Sequence, residues 1–168
     1  MTDNENLALV ADIGGTNARF ALADIGSGMP RLYRQETLPT ADYASLPHAA
    51  EAYLDKHKMK PAMASFAVAC PVSGDEIRLT NRAWAFSQRE LQASLGVDHQ
   101  LVINDFGAAA LATLAIGDGD RVILHGTPDS QRKGPITVIG PGTGLGVALL
   151  VGDDRSGWQV VETEGGHV

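Results

Sequence analysis

The chain holds a single cysteine, Cys70, in 168 residues, which excludes an internal disulfide framework. It has no basic run: 13 lysines and arginines stand against 20 acidic residues, for a formal net charge of −7, so nucleic acid is not an expected partner. It has no long apolar run either. The longest, Ala108 to Ile116, is far too short to span a bilayer, and no membrane partner is expected. The first residues, Met1-Thr-Asp-Asn-Glu-Asn6, are polar and acidic, unlike a signal peptide; the expected location is the cytoplasm. Two nucleotide-binding motifs are missing as well. No Gly-Lys-Ser/Thr closes either glycine cluster, and the second cluster runs into a strand pattern, which excludes the dinucleotide fingerprint.

What the chain does have is hydrophobic content of 44%, enough for one domain or one and a fraction, and 19 glycines that fall in clusters. The most informative stretch is Ala8 to Asp24. Leu7 to Ile13 is an almost continuous apolar run, as in a strand buried on both faces, and Ala18 to Ala23 is a second. Between them stand Gly14, Gly15, Thr16 and Asn17. A Gly-Gly pair allows a turn with positive φ and leaves successive amides open to an anion. Asp12 is a lone carboxylate near the end of its strand. Burying it is costly unless it is paired or coordinated, and beside a phosphate cradle it suits Mg²⁺ held through water. The plain alternative is a β-hairpin with an incidental aspartate.

Further on, Arg31 to Thr37 reads as a third strand and Ala41 to Lys58 as an amphipathic helix that Asp42 could cap. Pro61 closes that helix, and Ala64 to Ala69 returns as a buried strand. Cys70-Pro-Val-Ser-Gly-Asp75 follows as a turn at a strand end, where ligands gather in α/β sheets. Ile77 to Thr80 reads as a short strand, Asn81 to Phe86 as a loop with Trp84 packed in the core, and Ser87 as the cap of a helix through Leu95, with Glu90 at the capping-box position. Leu101 to Ile103 is another strand, leading through Asn104-Asp105 into a helix from Phe106 to Ile116. The polar pair can be a helix cap. It can equally be chemical: a carboxylate that accepts a proton from a substrate hydroxyl, beside an amide that holds the neighbouring hydroxyl. Gly117 to Asp120 is a polar turn. Arg121 to His125, Pro135 to Ile139, Val147 to Val151 and Gln159 to Glu162 read as strands. Gly140-Pro-Gly-Thr-Gly-Leu-Gly146 is then a second glycine cradle between strands, fit for phosphate.

Two glycine cradles flanking an Asn-Asp pair resemble the superfamily of sugar kinases, actin and chaperone ATPases. More closely, Asp12-Ile-Gly-Gly-Thr-Asn-Ala-Arg19, Ala69-Cys-Pro-Val-Ser-Gly74, Thr80-Asn81 with Trp84-Ala-Phe86, Ile103-Asn-Asp-Phe106, Gly142-Thr-Gly-Leu-Gly146 and Glu164-Gly-Gly-His167, in that order, resemble the bacterial glucokinase family. Each motif alone is weak; together they are very specific.

The resemblance implies an α/β chain of the actin-like ATPase class: a small domain with a mixed sheet over residues 1–115, and the start of a second, larger α/β domain over 116–168. It implies ATP-dependent phosphorylation of glucose to glucose 6-phosphate at the entry to glycolysis, with ATP and Mg²⁺, in a homodimer. Ala11, Asp12, Ile13, Gly14, Gly15 and Thr16 would line the first ATP-phosphate site, with Asp12 reaching Mg²⁺ through water, and Gly142, Thr143 and Gly144 the second. Asn104, Asp105, Glu164 and His167 would bind glucose, with Asp105 as the base on the 6-hydroxyl. Family members are longer, so the chain reads as an N-terminal half, inactive alone, without the adenosine-binding segments, a further sugar-binding glutamate and a C-terminal helix. Two rivals stand beside this reading. One is a sugar-sensing regulator of the related repressor–kinase family, although the few residues before the first strand leave no room for the DNA-binding extension those members carry. The other is a non-catalytic binding module.

Overall fold

The computed structural model describes residues 6–26, 28–79, 84–126, 135–141 and 145–163. The chain divides into two compact units, Met1–Asp105 and Phe106–Val168, with the division at the start of a helix. The reason is the helix Asp105–Ala112 (α3), whose apolar side packs with the strands that follow it: Phe106, Ala110 and Leu111 share a cluster with Ala148 and Leu150.

The first unit is built on a five-stranded mixed sheet, in the order β3-β2-β1-β4-β7. Its strands are β1 (Leu7–Ile13), β2 (Asn17–Asp24), β3 (Arg31–Pro39), β4 (Met63–Val68) and β7 (His99–Asn104). The apolar runs at 7–13 and 18–23 thus form a hairpin, with Ile13 opposite Ala18. β1, β4 and β7 run parallel. Leu7, Leu9, Ile13, Phe20, Leu22, Phe66 and Val68 make one core with Leu46, Ala49, Ala50, Tyr53 and Leu54 of helix α1 (Leu46–His57) and Leu91 of helix α2 (Gln88–Leu95).

α1 starts later than its apolar spacing suggests. A single 3₁₀ turn occupies Thr40–Asp42, Ser45 takes the N-cap position, and Pro47 lies in the first turn of the helix. Proline suits that place, because its missing N–H is unneeded there, and Asp42 is therefore not the cap of α1. Ser87 caps α2 as its sequence implies, accepting from the Glu90 amide at 3.2 Å. The residue that the sequence did not flag is Asp75. Its carboxylate accepts from the Ser87 hydroxyl (2.8 Å) and the Arg89 amide (3.1 Å), and these hydrogen bonds hold its carboxyl below the usual value. Gly96 ends α2 at φ +64, a conformation that favours glycine. Ala85 and Phe86, expected as loop, belong with Ser87 to a short strand β6 (Ala85–Ser87) that pairs with β5 (Glu76–Arg78). Trp84 is buried and donates to the Tyr43 carbonyl at 3.1 Å.

β3 carries a bulge opposite Ala21, with Arg34 at φ 55. The strain is held by α1. Tyr53 donates to the Arg34 carbonyl at 2.8 Å and the Arg34 guanidinium donates to the His57 carbonyl at 3.0 Å. Burial pushes the Tyr53 phenol up to about 12, so it remains a donor. Glu36 completes the contact with Lys56 and His57, and Lys56 holds its carboxyl below the ordinary 4.5, against the opposing effect of burial and with help from His57. A carboxylate with a depressed folded-state pKa stabilises the fold above its unfolded value, and that contribution is lost as pH falls through the folded value. Urea midpoints measured downward from pH 7 should therefore drop more steeply below about 4.5 in the wild type than in Glu36→Gln. Parallel curves would assign the acid sensitivity elsewhere, Asp75 being the next candidate.

In the second unit, β9 (Leu145–Asp153) lies between β8 (Ile136–Pro141) and β10 (Gly157–Thr163) in an antiparallel sheet. Two expectations fail before it. α3 stops at Ala112 rather than Ile116. Arg121 to His125 forms no strand: Val122 and Leu124 are 84% and 94% exposed, and the local order is a 3₁₀ turn at Asp118–Asp120 with Arg121 paired to Asp118. Among the described residues, no helix is long and apolar enough to cross a membrane.

Candidate active site

The parallel strands bring the sequence candidates of the first unit together. Ile13 is in register with Val68, and Val68 with Asn104. The first glycine turn, the segment after β4 and the Asn104-Asp105 pair therefore leave the same edge of the sheet, at the carboxyl ends of three adjacent strands. Adjacent strands lie about 4.8 Å apart, so the turn and the pair are separated by one intervening strand. This edge is where open α/β sheets hold ligands.

At the turn, the Gly14 amide bonds back to the Asn17 carbonyl at 2.9 Å. Gly14 is not in the positive-φ region that the sequence suggested, and a Cβ placed on it would meet only the Asn17 carbonyl, at 3.5 Å. The hairpin does not require glycine here, so the missing side chain leaves room over the backbone. The turn is held from behind by Thr40, which is fully buried. Its hydroxyl donates to the Gly15 carbonyl (2.9 Å) and its amide to the Thr16 carbonyl (3.0 Å). Sequence reasoning missed Thr40; the available signal was a threonine after proline at the end of the neighbouring strand. Ala11 and Ile13 turn their side chains into the core, leaving only their backbone to a ligand.

Asp12 is not the buried orphan its apolar strand implied. It stands opposite Arg19 in the hairpin, accepts from its guanidinium at 2.7 Å, and its side chain is 52% exposed. Among the described residues no cluster of three metal-ligating side chains forms. A single exposed carboxylate fits Mg²⁺ that arrives with phosphate oxygens and water.

Asn104 ends β7 and donates from its amide nitrogen to the Cys70 carbonyl at 3.2 Å; Asp105 opens α3. The loop after β4 is thereby tied to Asn104 at its start and, through Asp75, to the N-terminus of α2 at its end. Gly142, Thr143, Gly144, Glu164 and His167 lie outside the described residues.

A glucokinase family model matches residues 9–168. The chain belongs to the glucokinase family. It is 44% identical to the glucokinase of Cronobacter sakazakii over 96% of its own length and 49% of that protein. A crystal structure of glucokinase from an Antarctic psychrotroph superposes on 97% of this glucokinase-family chain and 51% of its own, with a TM-score of 0.85 and 38% identity. The glucokinase of Balamuthia mandrillaris, solved in complex with glucose, shares the fold at a TM-score of 0.70 and 24% identity, over 97% of this chain and 49% of its own. The chain thus spans about half the length of the curated relatives it matches, and the mixed α/β architecture is that of sugar kinases.

Proposed function

We propose that the full-length protein transfers the terminal phosphoryl group of ATP to the 6-hydroxyl of glucose. The observation that carries this reading is the register Ile13–Val68–Asn104, which puts an open glycine turn and an Asn-Asp pair on one sheet edge. Membership of the glucokinase family supports it.

In this reading the amides of Gly14 to Thr16, backed by Thr40, face the ATP phosphates. Mg²⁺ would supply charge neutralisation between phosphate oxygens, with Asp12 holding it through water. Asn104 fixes one sugar hydroxyl. Asp105 accepts the proton of the 6-hydroxyl as its oxygen bonds to phosphorus and the bond to the ADP oxygen breaks. Gly142, Thr143 and Gly144 would form the second phosphate contact, and Glu164 and His167 further sugar contacts. The first unit would be the small domain and the second the beginning of the large one. The enzyme is read as cytoplasmic, acting in a homodimer at the entry to glycolysis; the acidic balance and the missing basic run support the absence of nucleic-acid partners.

A coupled assay of glucose-dependent ADP release on the full-length protein tests the reading, and no ADP release would end it. Within that assay, Gly15→Val should raise the ATP KM at least about tenfold and leave glucose binding nearly unchanged. Gly14→Ala, which the hairpin tolerates, should melt with the wild type and still bind ATP more weakly. Normal nucleotide binding by both variants would restore the plain-hairpin reading of this turn.

A further inference from the structure

The second glycine cluster is put to an unexpected use. Gly140 and Gly146 form a cross-strand pair at the ends of β8 and β9. A Cβ on Gly146 would fall 1.9 Å from Cε2 and 2.1 Å from Cζ of Phe106, and one on Gly140 would fall 2.6 Å from Cε1 and Cζ. Real atoms cannot approach so closely. The Phe106 ring therefore occupies the space that two side chains would otherwise fill and lies directly on the strand backbones. Neither glycine has a φ in the left-handed region, so the backbone conformation does not demand glycine; the ring does.

Phe106 is the residue after Asp105, in the first turn of α3. Its ring also joins the cluster of Ala110, Ala148 and Leu150. We infer that Phe106 is a positioning residue for phosphoryl transfer: seated on the Gly140–Gly146 pair, it holds the ends of β8 and β9 against the helical turn that Asp105 opens. The inference rests on the proposed reaction, and it gives Gly140 and Gly146, which flank the expected phosphate contacts Gly142, Thr143 and Gly144, a separate use. Displacements of about 1 Å in a reacting geometry cost on the order of 10²-fold in rate. A bulky ring wedged against a backbone with no intervening side chain sets position at that scale.

The seat makes a reciprocal prediction, because ring and glycine exclude each other's substitutes. In the full-length enzyme, Phe106→Ala should lower kcat at least about tenfold while the glucose KM stays within about threefold. Phe106→Leu should retain more activity than Phe106→Ala. Gly146→Ala should show the same kcat defect and a lower melting temperature, because its new methyl meets the ring. Combining Phe106→Ala with Gly146→Ala should be no worse than the more damaged single variant in kcat and should recover part of the melting temperature, since the methyl enters the vacated space. Melting reports on the seat without any nucleotide or turnover. Additive losses in the double variant would show that ring and glycine do not meet. A Phe106→Ala enzyme of lowered melting temperature but near wild-type kcat would reduce the ring to ordinary core and overturn the inference. A wild type that does not phosphorylate glucose would instead defeat the proposed function, leaving the seat to be decided by the melting data.

Discussion

Asp105→Asn in the full-length enzyme is expected to cut kcat by roughly 10²-fold or more, with little change in glucose binding. The substitution separates the two roles that the position allows. Asp105 opens α3, and asparagine serves a helix N-terminus about as well as aspartate does, so stability should survive. Asparagine also keeps a carbonyl oxygen for a sugar hydroxyl, so the Michaelis complex should survive. What it cannot do is take a proton. A loss confined to kcat would therefore identify a base, measured by steady-state turnover against glucose and ATP together with glucose affinity from intrinsic fluorescence or calorimetry. Turnover near wild type would leave Asp105 as a first-turn residue of α3 alone.

Expressed alone, the 168-residue chain is expected to self-associate and to show no measurable glucose phosphorylation. One face of the second-unit sheet packs on α3. The alternate residues face away from it: Ile139, Leu145 and Val161 are 61%, 45% and 43% exposed, and Val147, Leu149 and Val151 lie among them half-buried. Among the described residues β8 and β10 are edge strands. An apolar face with open edges is a template for pairing with another chain. Its relatives have about as much chain again. Size-exclusion chromatography with light scattering should show dimers or larger species. A monodisperse monomer that turns over glucose would refute both halves of the expectation.

How much of this the sequence disclosed depends on whether the signal was local. Uninterrupted apolar runs located β1, β2 and β4 within a residue or so, because strands buried between neighbours need little else. Ser87 was readable as a cap because capping is chemistry within one turn. Elements governed by tertiary contact were not readable. Arg121 to His125 has a strand's hydrophobicity but joins no sheet among the described residues, and α3 groups with the second unit because Phe106 and Ala110 find partners there. At the site, the glycine turn and the Asn-Asp pair stood out by composition. Thr40 and Asp75 act through bonds to backbone and hydroxyl groups distant in the chain, which no spacing encodes. At Gly140 and Gly146 the lack of a side chain was legible, whereas the ring that requires it was not.

The register that joins Ile13, Val68 and Asn104 works as a ruler. The distance between the two ends of the proposed chemistry is two steps of a hydrogen-bonded sheet, from β1 across β4 to β7, a quantity set by peptide geometry and nearly indifferent to which side chains the strands carry. Core substitutions in β1, β4 or β7 can therefore weaken the fold without re-spacing the site. In the proposed reaction, variation in the accepted sugar has to come from what projects beyond the strand ends, and in the first unit the segment from Cys70 to Asp75, pinned at both ends, is where such variation can be written at least cost to the fold.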